Sequence, residues 1–307
     1  MSPSPVAAMT RPRRTRLRAQ FEPYLYAGPA VIAIGLTLLV PLAIGLSYAF
    51  RNMNILELAD GSFVGTAHFE KLWDDADFWH ALKNTITWTI ACLTLQFFLG
   101  LGLALLLNRP FLGKRLVQAV VFLPWAVPAF LSGLNWAWLF NPVVGPVPHW
   151  LAWAGIMDTP FNILSDERTA LWGPVIANVW FGIPFFAITL LAALQSIPDD
   201  LYEAASIDGA SPLKQFWHVT LPFLAPTIAI TILLRTIWIA NFGDFIWVMT
   251  YGGPANASQI LATYVFSTAY TQLDFGYASA IASVLLVLLM VYAAVIFRMR
   301  RALLAES

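Results

Sequence analysis

Six long apolar runs constrain this chain more than any other feature of its sequence. They lie at residues 24–50, 84–107, 116–140, 171–197, 223–250 and 277–298. A helix of about 20 apolar residues crosses the hydrocarbon core of a bilayer, whereas a transmembrane β-strand has about ten residues and alternates in polarity. The runs are long and do not alternate. The sequence therefore predicts an all-α membrane protein with six transmembrane helices.

The overall composition agrees with a bilayer environment. Of the 307 residues, 59% are hydrophobic and 11% are charged. Soluble domains have about 45–50% apolar and about 25% charged residues. The formal net charge is zero, so the charge balance gives no reason to expect binding to nucleic acid. The single cysteine, Cys92, lies in the second run, which excludes an internal disulfide.

Basic residues between the runs predict the orientation, because short cytoplasmic loops are enriched in Lys and Arg. With six spans, one side holds Arg11, Arg13, Arg14, Arg16, Arg18, Arg109, Lys114, Arg115, Lys214, Arg298, Arg300 and Arg301. The other side holds Arg51, Lys71, Lys83 and Arg168. We therefore expect both termini in the cytoplasm.

The expected organisation is a basic cytoplasmic tail at residues 1–23, a transmembrane domain at 24–299 and a short cytoplasmic tail at 300–307. The first run, residues 24–50, is too long for the apolar part of a signal peptide. It also lacks an A-x-A-like cleavage site. It is therefore expected to stay in the protein as the first span.

A polar insert separates the fourth and fifth runs on the cytoplasmic side. Asp199 or Asp200 is expected to cap a short helix, and Gly209 to end it, since glycine adopts the left-handed backbone found after helices. Ser211 and Pro212 are expected to start a second short helix. From the residues alone, this helix–turn–helix is either a docking element for a cytoplasmic partner or a solvated connection.

The insert resembles a known loop. "EAASIDGASPLKQFWHVTLP", residues 203–222, is similar to the EAA loop of binding-protein-dependent ABC importer permeases, with the pattern E-A-A-x-x-x-G, an apolar residue and then L-P. In that family the loop forms the coupling helices, which sit in a cleft of the ATPase subunit. The resemblance implies a coupling loop at about 198–222. Its coupling residues are then Tyr202, Glu203, Ala204, Ala205, Asp208, Gly209, Leu221 and Pro222.

Two further segments extend the resemblance over most of the chain. "FVGTAHFEKLWDDADFWHALKNT" is similar to the family's segment before the second span, with His68 where Asn is typical. "WVMTYGGPANAS" and "FGYASAIAS" resemble the maltose- and glycerol-phosphate-type first permease. The resemblance implies the type I ABC importer permease fold, in the inner membrane of a bacterium, with both termini cytoplasmic.

The resemblance also implies partners, in addition to the surrounding membrane lipid. They are a second, different permease subunit, a dimer of cytoplasmic ABC ATPases and an extracytoplasmic solute-binding protein. The chain has no G-x-x-x-x-G-K-[ST] loop, so ATP and Mg²⁺ are expected in the ATPase, and the chain is expected to be neither an enzyme nor the holder of a cofactor. Its four histidines show no metal-ligand spacing, so no metal site is expected.

The fourth run contains a candidate substrate segment, "NVWFGIPFFA", residues 178–187. It is similar to a segment that helps to line the sugar site of maltose-type permeases. Aromatic faces with a few polar groups in an apolar cavity suit a sugar. The expected substrate residues in this run are Asn178, Trp180, Phe181, Gly182 and Phe185. Gly182 alternatively serves the close packing of helices.

Arg235 lies deep in the fifth run, where a charge is costly and usually faces a cavity or a partner. A helical period of about 100° per residue places it on one face with Trp238, Ile239 and Phe242. The resemblance implies that this face borders the translocation path, so all four are candidate substrate residues. Arg235 is expected to bind a hydroxyl-rich or anionic substrate, to pair with a carboxylate or helix C-terminus of the second permease, or to reach lipid headgroups. Asp244 is expected on the opposite face, capping the outer end of the helix.

The sequence therefore predicts the permease subunit of an ATP-driven importer for a carbohydrate or a related polyol or sugar derivative. The alternative is a secondary transporter that moves a small polar solute with an ion gradient. Such a transporter would need an acid or a histidine deep in a span as its coupling site, and its halves are often related by a repeat. No repeat is visible here, and the one acid in a run, Asp244, lies near a helix end.

Overall fold

The computed structural model describes residue 24 and residues 26–55, 61–156, 158–159 and 161–305. Within these residues the chain is helical, with isolated bridges but no strand. The helices are α1 (Tyr26–Tyr48), α2 (Ala67–Asp74), α3 (Ala76–Asn108), α4 (Lys114–Ala126), α5 (Ala129–Leu139), α6 (Pro146–Trp153), α7 (Trp172–Leu194), α8 (Asp199–Ile207), α9 (Pro212–Gln215), α10 (Leu221–Asn241), α11 (Asp244–Met249), α12 (Leu261–Phe266) and α13 (Phe275–Ala305). The predicted tail at residues 1–23 lies outside the described residues.

Five helical segments of the described chain are long and apolar enough to cross a membrane. They are Tyr26–Tyr48, Ala76–Asn108, Trp172–Leu194, Pro212–Met249 and Phe275–Arg298. The third apolar run forms the bent pair α4 and α5, which passes the same test only as a pair. Length and composition therefore support five spans, or six if the bent pair is one span.

The span predicted at residues 116–140 is not one continuous helix. α4 ends at Ala126, α5 begins at Ala129, and their axes differ by 99°. Pro128 explains the break, because proline pushes the preceding residue out of the helical region. Val127 is accordingly extended, with φ −107° and ψ 130°.

The span predicted at residues 223–250 lies within the apolar segment Pro212–Met249, but its helix is also interrupted. Phe242 leaves the helical conformation, with φ −93° and ψ 88°, and α11 begins two residues later. Asp244 therefore does not lie on the face of α10 opposite Arg235, and it does not cap the end of α10 as predicted. It lies in the first turn of a new helix, where the helix dipole favours a carboxylate.

Helices α3, α7 and α10 form the centre of the fold. The backbones of α3 and α7 approach closely at Gly100, where an added Cβ would lie 2.4 Å from the Cβ of Phe186. The indole Nε1 of Trp88, on α3, donates a hydrogen bond of 2.9 Å to the carbonyl of Ile239, on α10. These contacts bring the middle of the three helices together.

Asp75 connects the N-terminal end of α3 to α12 and α13. One carboxylate oxygen caps α3 by accepting from the backbone N–H of Asp77 at 2.9 Å. The other accepts from the hydroxyl of Tyr264 at 2.6 Å and from the hydroxyl of Tyr277. Burial by itself raises the pKa of Asp75, but these hydrogen bonds to the charged form outweigh it and hold the pKa below its usual value.

Candidate functional site

A buried polar triad lies where the three central helices meet. The guanidinium Nε of Arg235 donates to the Oε1 of Gln96 at 2.7 Å. The amide nitrogen of Gln96 donates to the side-chain oxygen of Asn178 at 2.7 Å and to its backbone carbonyl at 3.0 Å. The relative exposures of Gln96, Asn178 and Arg235 are 0%, 1% and 3%. Each of the helices α3, α7 and α10 thus contributes one side chain to a polar cluster inside an apolar bundle.

The charge of Arg235 is shielded by aromatic rings rather than by an acid. The guanidinium carbon lies 5.0 Å from the ring centre of Trp238 and 5.6 Å from that of Phe185. Such cation–π contacts are favourable, more so where the groups are desolvated. Among the residues that the structure describes, no carboxylate lies within ion-pair distance of this guanidinium.

Six of the predicted substrate residues line a single crevice beside the triad. They are Asn178, Phe181, Arg235, Trp238, Ile239 and Phe242. The rings of Phe181 and Phe242 stack, with centres 6.0 Å apart and planes 13° apart. The crevice leaves no room for a water molecule, so it is closed in this structure.

Gly182 provides space for the triad. A Cβ at this position would lie 2.2 Å from the carboxamide carbon of Gln96 and 2.3 Å from a terminal nitrogen of Arg235. The side chains of Gln96 and Arg235 therefore lie directly against the backbone of α7. A residue with a side chain at position 182 would prevent this close contact.

Trp180 lies apart from this group. Its indole packs edge-on against Trp136 of α5, with ring centres 5.9 Å apart, and it does not line the crevice. The structure thus brings eight of the nine predicted substrate residues together around Arg235 and leaves one outside. Their role in binding a substrate stays a prediction.

The sequence interpretation missed Gln96. A signal was present, because this residue is a lone carboxamide in the apolar segment "LTLQFFLG" of the second run. Its partners, however, are 82 and 139 positions away in the chain. Only the packing of α3 against α7 and α10 reveals the contact.

The polar insert predicted between the fourth and fifth runs begins with α8, which ends in a glycine turn as expected. Gly209 has φ +73°, and the N–H of Ala210 bonds back to the carbonyl of Ala205 at 2.9 Å. The N–H of Gly209 bonds to the carbonyl of Ser206 at 3.1 Å. These two bonds form a Schellman motif, which satisfies carbonyls at the end of the helix.

Two details of the predicted insert are wrong. Pro198 occupies the N-cap of α8, and neither Asp199 nor Asp200 caps it; both lie in the first turn. Ser211 does take the predicted N-cap position before Pro212, and its side chain makes no capping hydrogen bond there. The expected second short helix is not separate, because α9 continues through a π-helical turn at Phe216–Thr220 into α10. Proline at position 222 has no N–H to donate, which suits an irregular turn just before it.

The predicted coupling residues divide between two faces of the insert. Tyr202 packs against the apolar core below, and its hydroxyl lies 2.9 Å from that of Thr220. The half-buried residues are Tyr202, Ala205 and Leu221, and the exposed ones are Glu203, Ala204, Asp208, Gly209 and Pro222.

The predicted coupling residues do not include Ile207, a further exposed residue of α8. Its side chain is 87% exposed at the last position of the helix. Leu213 and Trp217, on the segment that follows, are 69% and 56% exposed. Exposed apolar side chains grouped on a polar loop are typical of a surface that another protein covers.

Comparison with known proteins places the chain among transport proteins. The family described as "Binding-protein-dependent transport system inner membrane component" matches residues 96–304. A sulfoquinovosyl glycerol transport system permease protein of Agrobacterium fabrum is 34% identical over 280 residues, which cover 90% of this chain and 89% of that protein. A trehalose/maltose transport system permease protein of Thermococcus litoralis is 33% identical over 278 residues, which cover 91% and 93%.

The fold has a solved counterpart. A chain of a bacterial alginate ABC transporter, solved in complex with an alginate pentasaccharide-bound periplasmic protein, superposes with a TM-score of 0.80 at 26% identity. The match covers 94% of this chain and 98% of that chain. Together with the relatives, it confirms the type I importer permease fold and the resemblance drawn from the EAA loop.

Permeases of this kind are not themselves enzymes, because a partner ATPase hydrolyses ATP. The chain belongs to the family of binding-protein-dependent transport system inner membrane components, within the sugar ABC permeases.

Proposed function

We propose that this chain is one of two permease subunits of an ATP-driven importer that moves a carbohydrate, or a related polyol or sugar derivative, into the cytoplasm. The names of the relatives support this solute class, since they transport sulfoquinovosyl glycerol and trehalose or maltose. The closed crevice around Arg235 is the proposed substrate site. Its aromatic walls and few polar groups suit a sugar.

The observation that carries the proposal is the exposed surface of α8. This helix is anchored to the bundle by Tyr202, yet it presents Ile207 at 87% exposure. One exposed isoleucine is ordinary on a protein surface, but Ile207, Leu213 and Trp217 are all exposed within one polar loop, and docking in a cleft of an ATPase would bury them. We therefore assign the loop at 198–222 to ATPase coupling.

The proposed mechanism links α8 mechanically to the substrate site. The Tyr202 hydroxyl contacts that of Thr220 at 2.9 Å, and the Gln215 amide donates to the Ser206 hydroxyl at 2.9 Å. Both contacts join α8 to the continuous segment that ends in α10, which carries Arg235. Closure of the ATPase dimer on ATP would move α8, and with it α10 and the crevice. Transport then requires that the two states bind the solute with different affinity.

The proposed assembly contains a second, different permease, a dimer of ABC ATPases that binds ATP and Mg²⁺, and an extracytoplasmic solute-binding protein. The periplasmic protein in the alginate transporter complex supports the last partner. We propose that the bent pair α4 and α5 counts as one of six spans, with both termini cytoplasmic in the inner membrane of a bacterium. The charge distribution between the runs supports this orientation.

Reconstitution tests the energy source directly. The complex is purified from its native membrane through a tag on this chain and placed in liposomes without an ion gradient. Labelled trehalose and sulfoquinovosyl glycerol are offered outside with the solute-binding protein. We expect uptake of a labelled solute only when ATP is enclosed, and none with a non-hydrolysable analogue. Uptake driven by a proton or sodium gradient without ATP would instead identify a secondary transporter.

A further inference from the structure

We propose that the solute of this permease is an anionic sugar derivative, and that the guanidinium of Arg235 and the side-chain amide of Asn178 bind its acid group. The acid group is a carboxylate, a phosphate or a sulfonate, which share the same acceptor chemistry. This inference rests on the proposed function, because it names the class of solute for the same site.

Arg235 lacks a counter-charge among the residues that the structure describes. A guanidinium has five N–H donors, and the one hydrogen bond from Arg235 within the described chain is that from Nε to Gln96. The side chain is 97% buried, with an exposure of 3%, and no described carboxylate pairs with it. A buried charge is costly unless it is paired. The Arg235 guanidinium therefore lacks a negatively charged partner in the described chain.

The other polar groups of the triad also favour an acceptor as ligand. The Nδ2 of Asn178 is a buried donor without a hydrogen-bond partner, whereas its Oδ1 already accepts from Gln96. Both ends of the Gln96 amide are likewise engaged. The groups of the triad that make no hydrogen bond at all are thus donors, and each amide oxygen already accepts one bond. A sugar hydroxyl needs a donor and an acceptor, but a carboxylate, phosphate or sulfonate oxygen only accepts.

The geometry also holds the guanidinium ready for such a group. Gln96 holds Nε by a hydrogen bond, and the absence of a side chain at Gly182 lets one terminal nitrogen lie against α7. Trp238 covers the guanidinium with a ring centre at 5.0 Å, and this side chain is 48% exposed. An anion therefore reaches Arg235 by displacing a half-exposed ring, and the buried core need not unpack.

The same burial argues against pairing with the second permease. A carboxylate of another subunit is fixed to a docking surface, and it would have to displace the Trp238 ring and insert into the crevice to reach Arg235. The guanidinium is buried in the bundle and does not extend to the surface, which argues against lipid headgroups as its partner. A small solute that enters while the crevice is open, and is released when the opposite side opens, meets no such obstacle.

The test measures binding of matched probes to the whole complex in lipid nanodiscs. Methyl glucoside is the neutral probe, and methyl glucuronide, glucose 6-phosphate and glucose 6-sulfonate carry the three acid groups. Affinities are measured by calorimetry, and the unfolding temperature is measured with and without each probe, since a ligand of the folded state raises it. The variants are Arg235→Gln, Arg235→Lys and, as a control, Arg168→Gln at an exposed cation of a distant loop.

We expect at least one anionic probe to bind the wild-type complex tenfold or more tightly than methyl glucoside. Arg235→Gln should abolish this preference, Arg235→Lys should retain part of it, and Arg168→Gln should leave it intact. The acid group that binds best identifies the solute class. Without probe, Arg235→Gln should unfold close to wild type, because the charge it removes has no counter-charge in the described chain and a glutamine amide can still donate to Gln96.

Two results overturn the inference. One is that no anionic probe binds more tightly than methyl glucoside. The other is that Arg235→Gln lowers the unfolding temperature of the unliganded complex and releases the second permease, which would assign Arg235 to the subunit interface. Neither result touches the proposed function, because ATP-dependent uptake of a neutral sugar in liposomes would still stand.

Discussion

Replacing Gly100 with alanine is expected to push α3 and α7 apart. The new Cβ would lie 2.4 Å from the Cβ of Phe186 and 3.2 Å from the backbone nitrogen of Ala187. The first distance is about 1 Å shorter than an ordinary carbon–carbon contact. Neither neighbour can swing away, because one atom is a Cβ and the other belongs to the backbone of α7. The helices must therefore separate, at a cost of about 1–3 kcal/mol, as is typical of an overpacked core.

Gly102 provides a matched control two positions along the same helix. A Cβ there meets nothing within 4 Å. Both substitutions gain the same helix propensity of about 1 kcal/mol, so the difference between the two variants isolates the clash. We expect Gly100→Ala to be less stable than Gly102→Ala by about 1–3 kcal/mol.

Reversible unfolding in mixed SDS micelles measures this difference for the purified chain, with thermal unfolding of the complex as a second readout. Gly102→Ala should unfold with or slightly after wild type, and Gly100→Ala clearly before Gly102→Ala. Equal unfolding of the two alanine variants would show that α3 and α7 do not approach at Gly100, and the placement of Gln96 beside Arg235 would lose its support.

Three further predictions concern single groups. Gln96→Leu should destabilise the chain by about 1.5–3 kcal/mol, because it removes the acceptor for a charged donor. Adding Arg235→Met to this variant should recover part of the loss in a double-mutant cycle. Losses that simply add would refute the contact between the two side chains. Gly209→Ala should cost about 1–2 kcal/mol, since its φ of +73° is strained for any residue with a Cβ; unfolding like wild type would contradict the turn. Asp75 has a lowered pKa in the folded chain, so its contribution is present above the unfolded-state pKa of about 3.9 and is lost as pH falls through the lower folded value. The gap in unfolding temperature between wild type and Asp75→Asn should therefore be constant from pH 7 to about 5 and shrink only in stronger acid; a gap that closes already near neutral pH would refute this.

The apolar runs predicted the positions of the helices well, because membrane insertion depends on summed hydropathy over about 20 residues. Summed hydropathy carries no information about backbone conformation, so it did not predict the two breaks in the helices. The first had a local signal in Pro128, which excludes a helical Val127. The second, at Phe242, had only a neighbouring glycine, Gly243, which helices in membranes often tolerate.

The candidate site shows a similar division. Helical spacing alone grouped Arg235 with Trp238, because both lie on α10 and 100° per residue is a local rule. The partner Gln96 and the lack of a counter-charge are tertiary facts, which depend on how α3 packs. The exposure of Ile207 also depends on the tertiary structure, since an apolar residue in a short helix is buried or exposed according to how that helix packs on the rest of the chain.

The most direct test of the proposed coupling is the recovery of the ATPase with an altered α8. Ile207→Asp changes a side chain that is 87% exposed, so its own effect on stability should stay within about 0.5 kcal/mol. Ile156→Asp is the matched control, at an isoleucine with 70% exposure in the loop after α6. We expect tagged Ile207→Asp to retain the second permease but to recover at least tenfold less ATPase than Ile156→Asp or wild type. Equal recovery of the ATPase with Ile207→Asp would contradict the assignment of α8 as the coupling helix.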